Sequence, residues 1–229
     1  EKLNIKIVNN KKEYNRYAYI IKEDNSKKIG ILISDLKEYK TNPKVNVKVD
    51  KKEKEVIAKL EQYEKDVLQP NLSVQEIMGI EGISAKLYFK TLFAEYNWQA
   101  RLPRVKNDIT NTLMDIGYTI LFNIVNALLE MYGFDVYVGI LHTQFFHRKS
   151  LVCDLEEPFR PIVDAAILKA LNLGQINEKD FWKNQNQYIL PWKNSKKYVG
   201  IILQALLEYK NEIFIYLQSY YRAFMRDKP

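Results

Sequence analysis

A mainly α-helical fold, with strand structure limited to a short hairpin near the N-terminus, is what this sequence predicts. Three observations support it. Apolar residues recur at three- and four-residue intervals through most of the chain after residue 27, the spacing that places them on one face of a helix. Two-residue alternation marks only short stretches, such as Leu3, Ile5 and Ile7 near the N-terminus. Helix punctuation stands where periodic stretches stop, at Pro43, Pro70 and Gly133.

Residues 2–8 alternate, residues 17–21 form a second apolar run, and Asn9, Asn10 and Asn15 lie between them, so residues 1–22 are expected to form a β-hairpin. A lone hairpin is marginal in water. It should lean on the rest of the chain or close an N-terminal β-domain, which leaves residues 23–229 as the helical domain. Ile29, Leu32, Ile33, Leu36 and Tyr39 predict a helix over residues 27–40, followed by a basic connector over residues 44–54. Val56, Leu60, Tyr63 and Val67 predict a helix over residues 55–68. Ser73 and Glu76 have the spacing of a capping box, in which hydroxyl and carboxylate each satisfy a free backbone amide at a helix start.

After the sequence Ile77-Met78-Gly79-Ile80-Glu81-Gly82 comes a helix carrying Ile83, Leu87, Tyr88, Leu92 and Phe93. Glu81 between two glycines is either a sterically open carboxylate suited to a ligand or acid/base role, or a helix N-terminal acid favoured by the dipole. The longest helical signal spans residues 109–132. One stripe runs through Leu113, Ile116, Ile120, Ile124, Leu128 and Met131, and a second through Leu121 and Val125. Two stripes imply burial on most sides, so Asp115 and Asn123 within it need partners. Pro161 fits the first turn of a helix through Ile162, Ala166, Ile167 and Leu171. Residues 172–194 read as a polar connector anchored by Phe181, Trp182, Tyr188 and Trp192, and residues 197–225 as a final helix.

The 229 residues suffice for a sizeable core. A net charge of +7 and a pI near 9.1 admit a polyanionic partner, although lysine-rich solubility would look the same. Cys153 has no intrachain mate, so a cytoplasmic protein is expected. The most apolar region, residues 116–140, is interrupted by Asn123, Asn126, Glu130 and Asp135, which predicts a buried helix and no membrane association.

Both histidines lie in one stretch. Val136 to Leu141 is a β-branched and apolar approach that delivers His142 to a polar loop, and the helix beyond holds Asp154 and Glu157 three residues apart on one face. One imidazole and two carboxylates able to converge make a divalent-metal site, and its oxygen-rich balance favours magnesium or manganese over thiolate-bound zinc.

The sequence resembles the CRISPR-associated spacer integrase, the Cas-one family. The resemblance rests on four elements in the family's order: Met78-Gly79-Ile80-Glu81-Gly82; Asn111 with Gly117-Tyr118; Gly139-Ile140-Leu141-His142; and Asp154-Leu155-Glu156-Glu157-Pro158-Phe159-Arg160-Pro161. The likeness runs from about residue 70 to 170. It implies a helical catalytic domain in which Glu81, His142 and Glu157 hold the metal, with Asp154 as a nearby carboxylate. The implied reaction joins a prespacer 3′-hydroxyl to the edge of a CRISPR repeat in double-stranded DNA by transesterification. It also implies a homo-oligomer, with the small Cas-two adaptation protein as a further partner.

Two departures stand out. Family members begin with a β-domain that builds much of their dimer, whereas here at most its last hairpin is visible. The loop over residues 143–149 is similar to that of members from type V loci and adds His147, Arg148 and Lys149. Arg148 and Lys149 can hold a phosphate near the scissile bond, as can Arg101, Arg104 and Lys106, and a solvated surface role explains each equally well. Arg160 is expected to pair with Glu156 or Glu157, and Tyr88 and Tyr118 to be core residues. Two rivals remain. One is a metal nuclease that only hydrolyses; the other is an idle helical DNA-binding scaffold.

Overall fold

The structure, a computed structural model, describes residues 51–226 apart from Asn97, with side chains from Glu55 onward. The expected hairpin and the helix over residues 27–40 lie outside the described residues. The chain divides into two compact units, residues 1–98 and 99–229.

In the first unit, α1 (Lys51–Asp66) takes in the last residues of the expected connector. It packs against α2 (Val74–Leu92). The capping box at the start of α2 is present: the Glu76 amide donates to Ser73 Oγ at 3.2 Å and the Ser73 amide to Glu76 Oε2 at 2.7 Å. Leu60, Val67, Ile77, Tyr88, Leu92 and Phe93 are buried. Each such side chain contributes roughly 1.5–3 kcal/mol relative to exposure. The helix expected after the two glycines already starts before them, and α2 runs unbroken through Met78 to Gly82.

The second unit is organised on α3 (Ile109–Met131), which packs against α4 (Ser150–Glu156), α5 (Arg160–Asn172), α6 (Trp192–Glu208) and α7 (Lys210–Met225). The buried row is Met114, Leu121, Val125 and Leu129, which extends the predicted second stripe through Leu121 and Val125; of the first stripe only Leu113 is buried, Ile116, Ile120, Ile124 and Leu128 are half-buried and Met131 is 63% exposed. The expected burial on most sides is therefore corrected to one broad face. Gly117 continues the row because a methyl group there would sit 2.3 Å from Val163 Cγ1 of α5. By length and apolar composition α3 is able to cross a membrane. Its partners in the second unit, and the polar network at its first turns, read instead as the core helix of a bundle.

Two further expectations are corrected. The final helix is two, broken at Tyr209. Unbroken from Trp192 to Met225 it would be about 50 Å long, too long to keep packing on α3 at about 35 Å. The connector contains a hairpin, β1 (Trp182–Asn184) paired antiparallel with β2 (Gln187–Ile189), turned at Gln185, whose φ is +52°. It is seated on the main unit by the Tyr188 amide donating to the Lys106 carbonyl at 2.8 Å and by Thr112 Oγ1 donating to the Tyr188 carbonyl at 3.1 Å.

Candidate active site

The approach from Val136 to His142 is not a strand. It is an irregular turn wrapped around one carboxylate. Asp154, on α4 and 7% exposed, receives the Ile140 amide at 2.5 Å and the Leu141 amide at 3.1 Å on Oδ2. Its Oδ1 receives the His142 amide at 3.1 Å and lies 2.6 Å from His142 Nδ1. Gly139 makes the wrap possible: a Cβ there would meet the His142 carbonyl at 2.5 Å, Ser150 Cβ at 2.6 Å and Asp154 Oδ2 at 2.8 Å.

A carboxylate only accepts, so Nδ1 is the nitrogen that carries the proton, and the Nε2 lone pair is left for an electrophile or metal. Sequence spacing grouped Asp154 with Glu157 as converging ligands. In the structure both Asp154 oxygens accept from protein N–H groups, one of them the His142 ring nitrogen.

Glu157 opens a 3₁₀ turn, Glu157–Phe159, between α4 and α5. Arg160 pairs with it through Nη1 and with Glu156 through Nη2 at 2.7 Å, meeting both expected pairings at once. Glu156 is 2% exposed, and its Oε2 is buried with no hydrogen-bond partner among the described residues. Burial pushes its carboxyl up to about 7, against the pull of Arg160. Burial also works against the Arg160 charge, but Glu157 and Glu156 outweigh it and hold the guanidinium above its ordinary value.

Beneath this pair lies Tyr118. Its hydroxyl donates to buried Asp164 Oδ1 at 2.5 Å, and the guanidinium carbons of Arg160 and Arg101 each stand 5.1 Å from its ring centroid. Burial, reinforced by Asp164, raises the phenol well above its usual range, so it stays protonated. Arg101 in turn donates to Asn111 Oδ1 at 2.9 Å and to Asp115 Oδ1 at 2.6 Å. Asn111, fully buried, also accepts the Leu102 amide and donates to the Ala100 carbonyl, each at 2.9 Å. The loop before α3 is thereby fixed to the helix start.

The other predicted basic residues are placed as follows. Arg104 is exposed, Lys106 is half-buried, and both have positive φ. Lys149 Nζ donates to Asn126 at 2.9 Å and Glu130 at 3.0 Å, and Arg148 is half-buried. His147 is exposed at φ +56° against the Phe146 ring.

Glu81 is half-buried in the middle of α2, so the helix-start reading does not describe it, while the flanks at Gly79 and Gly82 are open, with nothing within 4 Å of where a Cβ would stand. It belongs to the first unit, whereas His142 and Glu157 belong to the second. Among the described residues no group of three or more His, Cys, Asp or Glu side chains forms a metal cluster by itself. The residues that spacing could not reveal are Gly139, Glu156 and Asn111. Each owes its importance to what packs around it.

A family model described as CRISPR associated protein Cas1 matches residues 5–202. A "CRISPR-associated endonuclease Cas1" from Leptospira interrogans is 31% identical over 168 residues, covering 70% of this chain and 65% of that protein. The chain thus spans just under two thirds of that relative's length. A solved CAS1 protein from Thermotoga maritima superposes with a TM-score of 0.78 at 26% identity, over 96% of this chain and 68% of its own. A chain from a partial Cas6-RT-Cas1–Cas2 complex shares the fold, with a TM-score of 0.75 at 21% identity over 90% of this chain and 65% of that one.

Proposed function

Since the chain belongs to the Cas1 family of CRISPR-associated proteins, we propose that it works in CRISPR adaptation as a metal-dependent DNA integrase and endonuclease. The observation behind this reading is the Asp154–His142 clamp, in which a buried carboxylate fixes the imidazole tautomer and leaves Nε2 available. That arrangement is how proteins commonly hold a ligating histidine.

Glu81, His142 and Glu157 would hold magnesium or manganese, and the donor set of one imidazole and two carboxylates suits either. The bound ion would lower the pKa of an attacking 3′-hydroxyl and offset charge building on the phosphoryl oxygens. The chain's own contribution is positional. Asp154 orients His142, and Arg160 holds Glu157 against the α5 start. Tyr118, kept neutral, supports Arg160 from below. The substrates are a prespacer 3′-end and the edge of a repeat in double-stranded DNA. Basic groups at Arg101, Arg104, Lys106, Arg148 and Lys149 would serve the phosphates. The partial Cas6-RT-Cas1–Cas2 complex among the fold relatives supports a Cas2 partner, and the chain would act as a homo-oligomer.

A joining assay tests the reading. With a 3′-hydroxyl oligonucleotide the protein should give branched product, with a dideoxy end none, and Glu81→Ala, His142→Ala and Glu157→Ala should each reduce joining at least ~100-fold. Nicks without branched product would mean that water is the only nucleophile used. Unchanged joining in all three variants would remove the site altogether.

A further inference from the structure

The sequence suggests Trp182 and Trp192 as anchors of the connector, yet they are 61% and 88% exposed. Trp98, by contrast, packs on Phe89 and Phe93. The two exposed indoles share a neighbourhood. Trp182 opens β1 and pairs across the hairpin with Ile189, and Trp192, three residues after Ile189, is the first residue of α6. Asn194 Nδ2 donates to the Asp180 carbonyl at 2.8 Å, which ties the first turn of α6 to the chain just before Trp182.

The charge there is positive. Lys183, Lys193 and Lys196 are exposed. The two acids of the segment are already engaged: Asp180 Oδ2 accepts from Tyr198 at 2.6 Å and Lys197 at 3.3 Å, and Glu178 accepts from Tyr188 at 3.3 Å. The hairpin adjoins the basic loop before α3, because the Tyr188 amide bonds the Lys106 carbonyl, and Arg104 of that loop is exposed.

Exposed indoles alone would suit a protein partner, but the centre of a protein interface is depleted in lysine. A duplex hides the faces of its bases. A single strand offers phosphates and open π-faces together, and the combination of basic and aromatic side chains matches it. We propose that Trp182 and Trp192, with Lys183 and Lys193, form a platform for single-stranded DNA, the indoles stacking on bases and the ammonium groups meeting phosphates. The proposal rests on the reading of this chain as a DNA-joining enzyme, in which such a strand would be a frayed or overhanging substrate end.

The test is anisotropy with a labelled oligo-dT of about 15 nucleotides, beside a duplex and an oligo-U of equal length. The double variant Trp182→Ala/Trp192→Ala should bind oligo-dT at least ~10-fold more weakly, with duplex binding and melting temperature unchanged, and Trp192→Phe should retain most of the affinity. Lys183→Ala should reduce the salt slope by about 0.7. Unchanged oligo-dT binding in the double variant overturns the proposal. So does a fall in oligomer mass by light scattering, which would make the indoles a protein interface, and so does tighter binding of oligo-U than of oligo-dT. A chain that joins DNA without help from the indoles loses only the platform. A chain that holds oligo-dT through them and never joins DNA loses only the enzymatic reading.

Discussion

At the residue scale the chemistry of the site turns on which nitrogen of His142 is free. Asp154 answers this by accepting from Nδ1 while three amides hold it in place. Asp154→Asn replaces an obligate acceptor with a group that can also donate, so the imidazole loses its fixed tautomer. Joining and manganese affinity should each fall about 10–100-fold. A variant with full manganese affinity would show that the carboxylate does not orient the ring. Glu156 makes a separate prediction. Its folded carboxyl titrates near 7, above the ordinary 4.5, because burial penalises its charge. A raised carboxyl binds its proton more tightly in the folded state, so stability is fully present below the ordinary value and declines as pH rises from about 4.5 toward 7. In metal-free protein Glu156→Gln should flatten that decline in thermal melts, and an unaltered slope would count against the buried carboxyl as its source. Spacing alone pairs Arg160 with its neighbours and makes Tyr88 a core ring, and both hold, whereas Tyr118 is half-buried. It also groups Asp154 with Glu157, but it does not show that amides reach the one and Arg160 the other, because helical spacing reports a shared face and not the groups that arrive from elsewhere.

At the element scale α3 is the support on which the site is built. Its start fixes the Arg101 loop through Asn111, its middle carries Tyr118 under Arg160, and Gly117 lets α5 approach. Gly117→Ala would force a methyl group into Val163 with the Ile202 methyls 3.4 Å away, all buried. We expect a loss of about 1–3 kcal/mol from overpacking, read as a lowered melting temperature. A wild-type melting temperature would mean that the α3–α5 contact yields more easily than its geometry implies. The boundaries of α3, the capping box of α2 and the start of α5 at Pro161 were all legible, since caps and prolines are local signals. The break at Tyr209 was not legible, because it answers to the length of α3. The hairpin was missed because its strands are three residues each and mostly polar, with no alternation to read.

At the scale of the whole molecule the expected metal dependence gives a direct measurement. Chelation should abolish joining while leaving the helical circular-dichroism signal in place, and either magnesium or manganese should restore it. Joining that survives chelation would end the metal reading. The order of the four sequence elements was enough to place the chain in its family, and periodicity was enough for a mainly helical fold. Both are written in near-neighbour spacing, which a linear chain displays openly. The tertiary structure alone decided that Asp154 accepts from the His142 ring, that Arg160 bridges two carboxylates over Tyr118, and that Glu156 is buried with one oxygen lacking a hydrogen-bond partner among the described residues. It alone left two tryptophans in solvent. Each of these depends on groups distant in the sequence meeting at contact range, and no periodicity encodes what a side chain touches once the helices have packed.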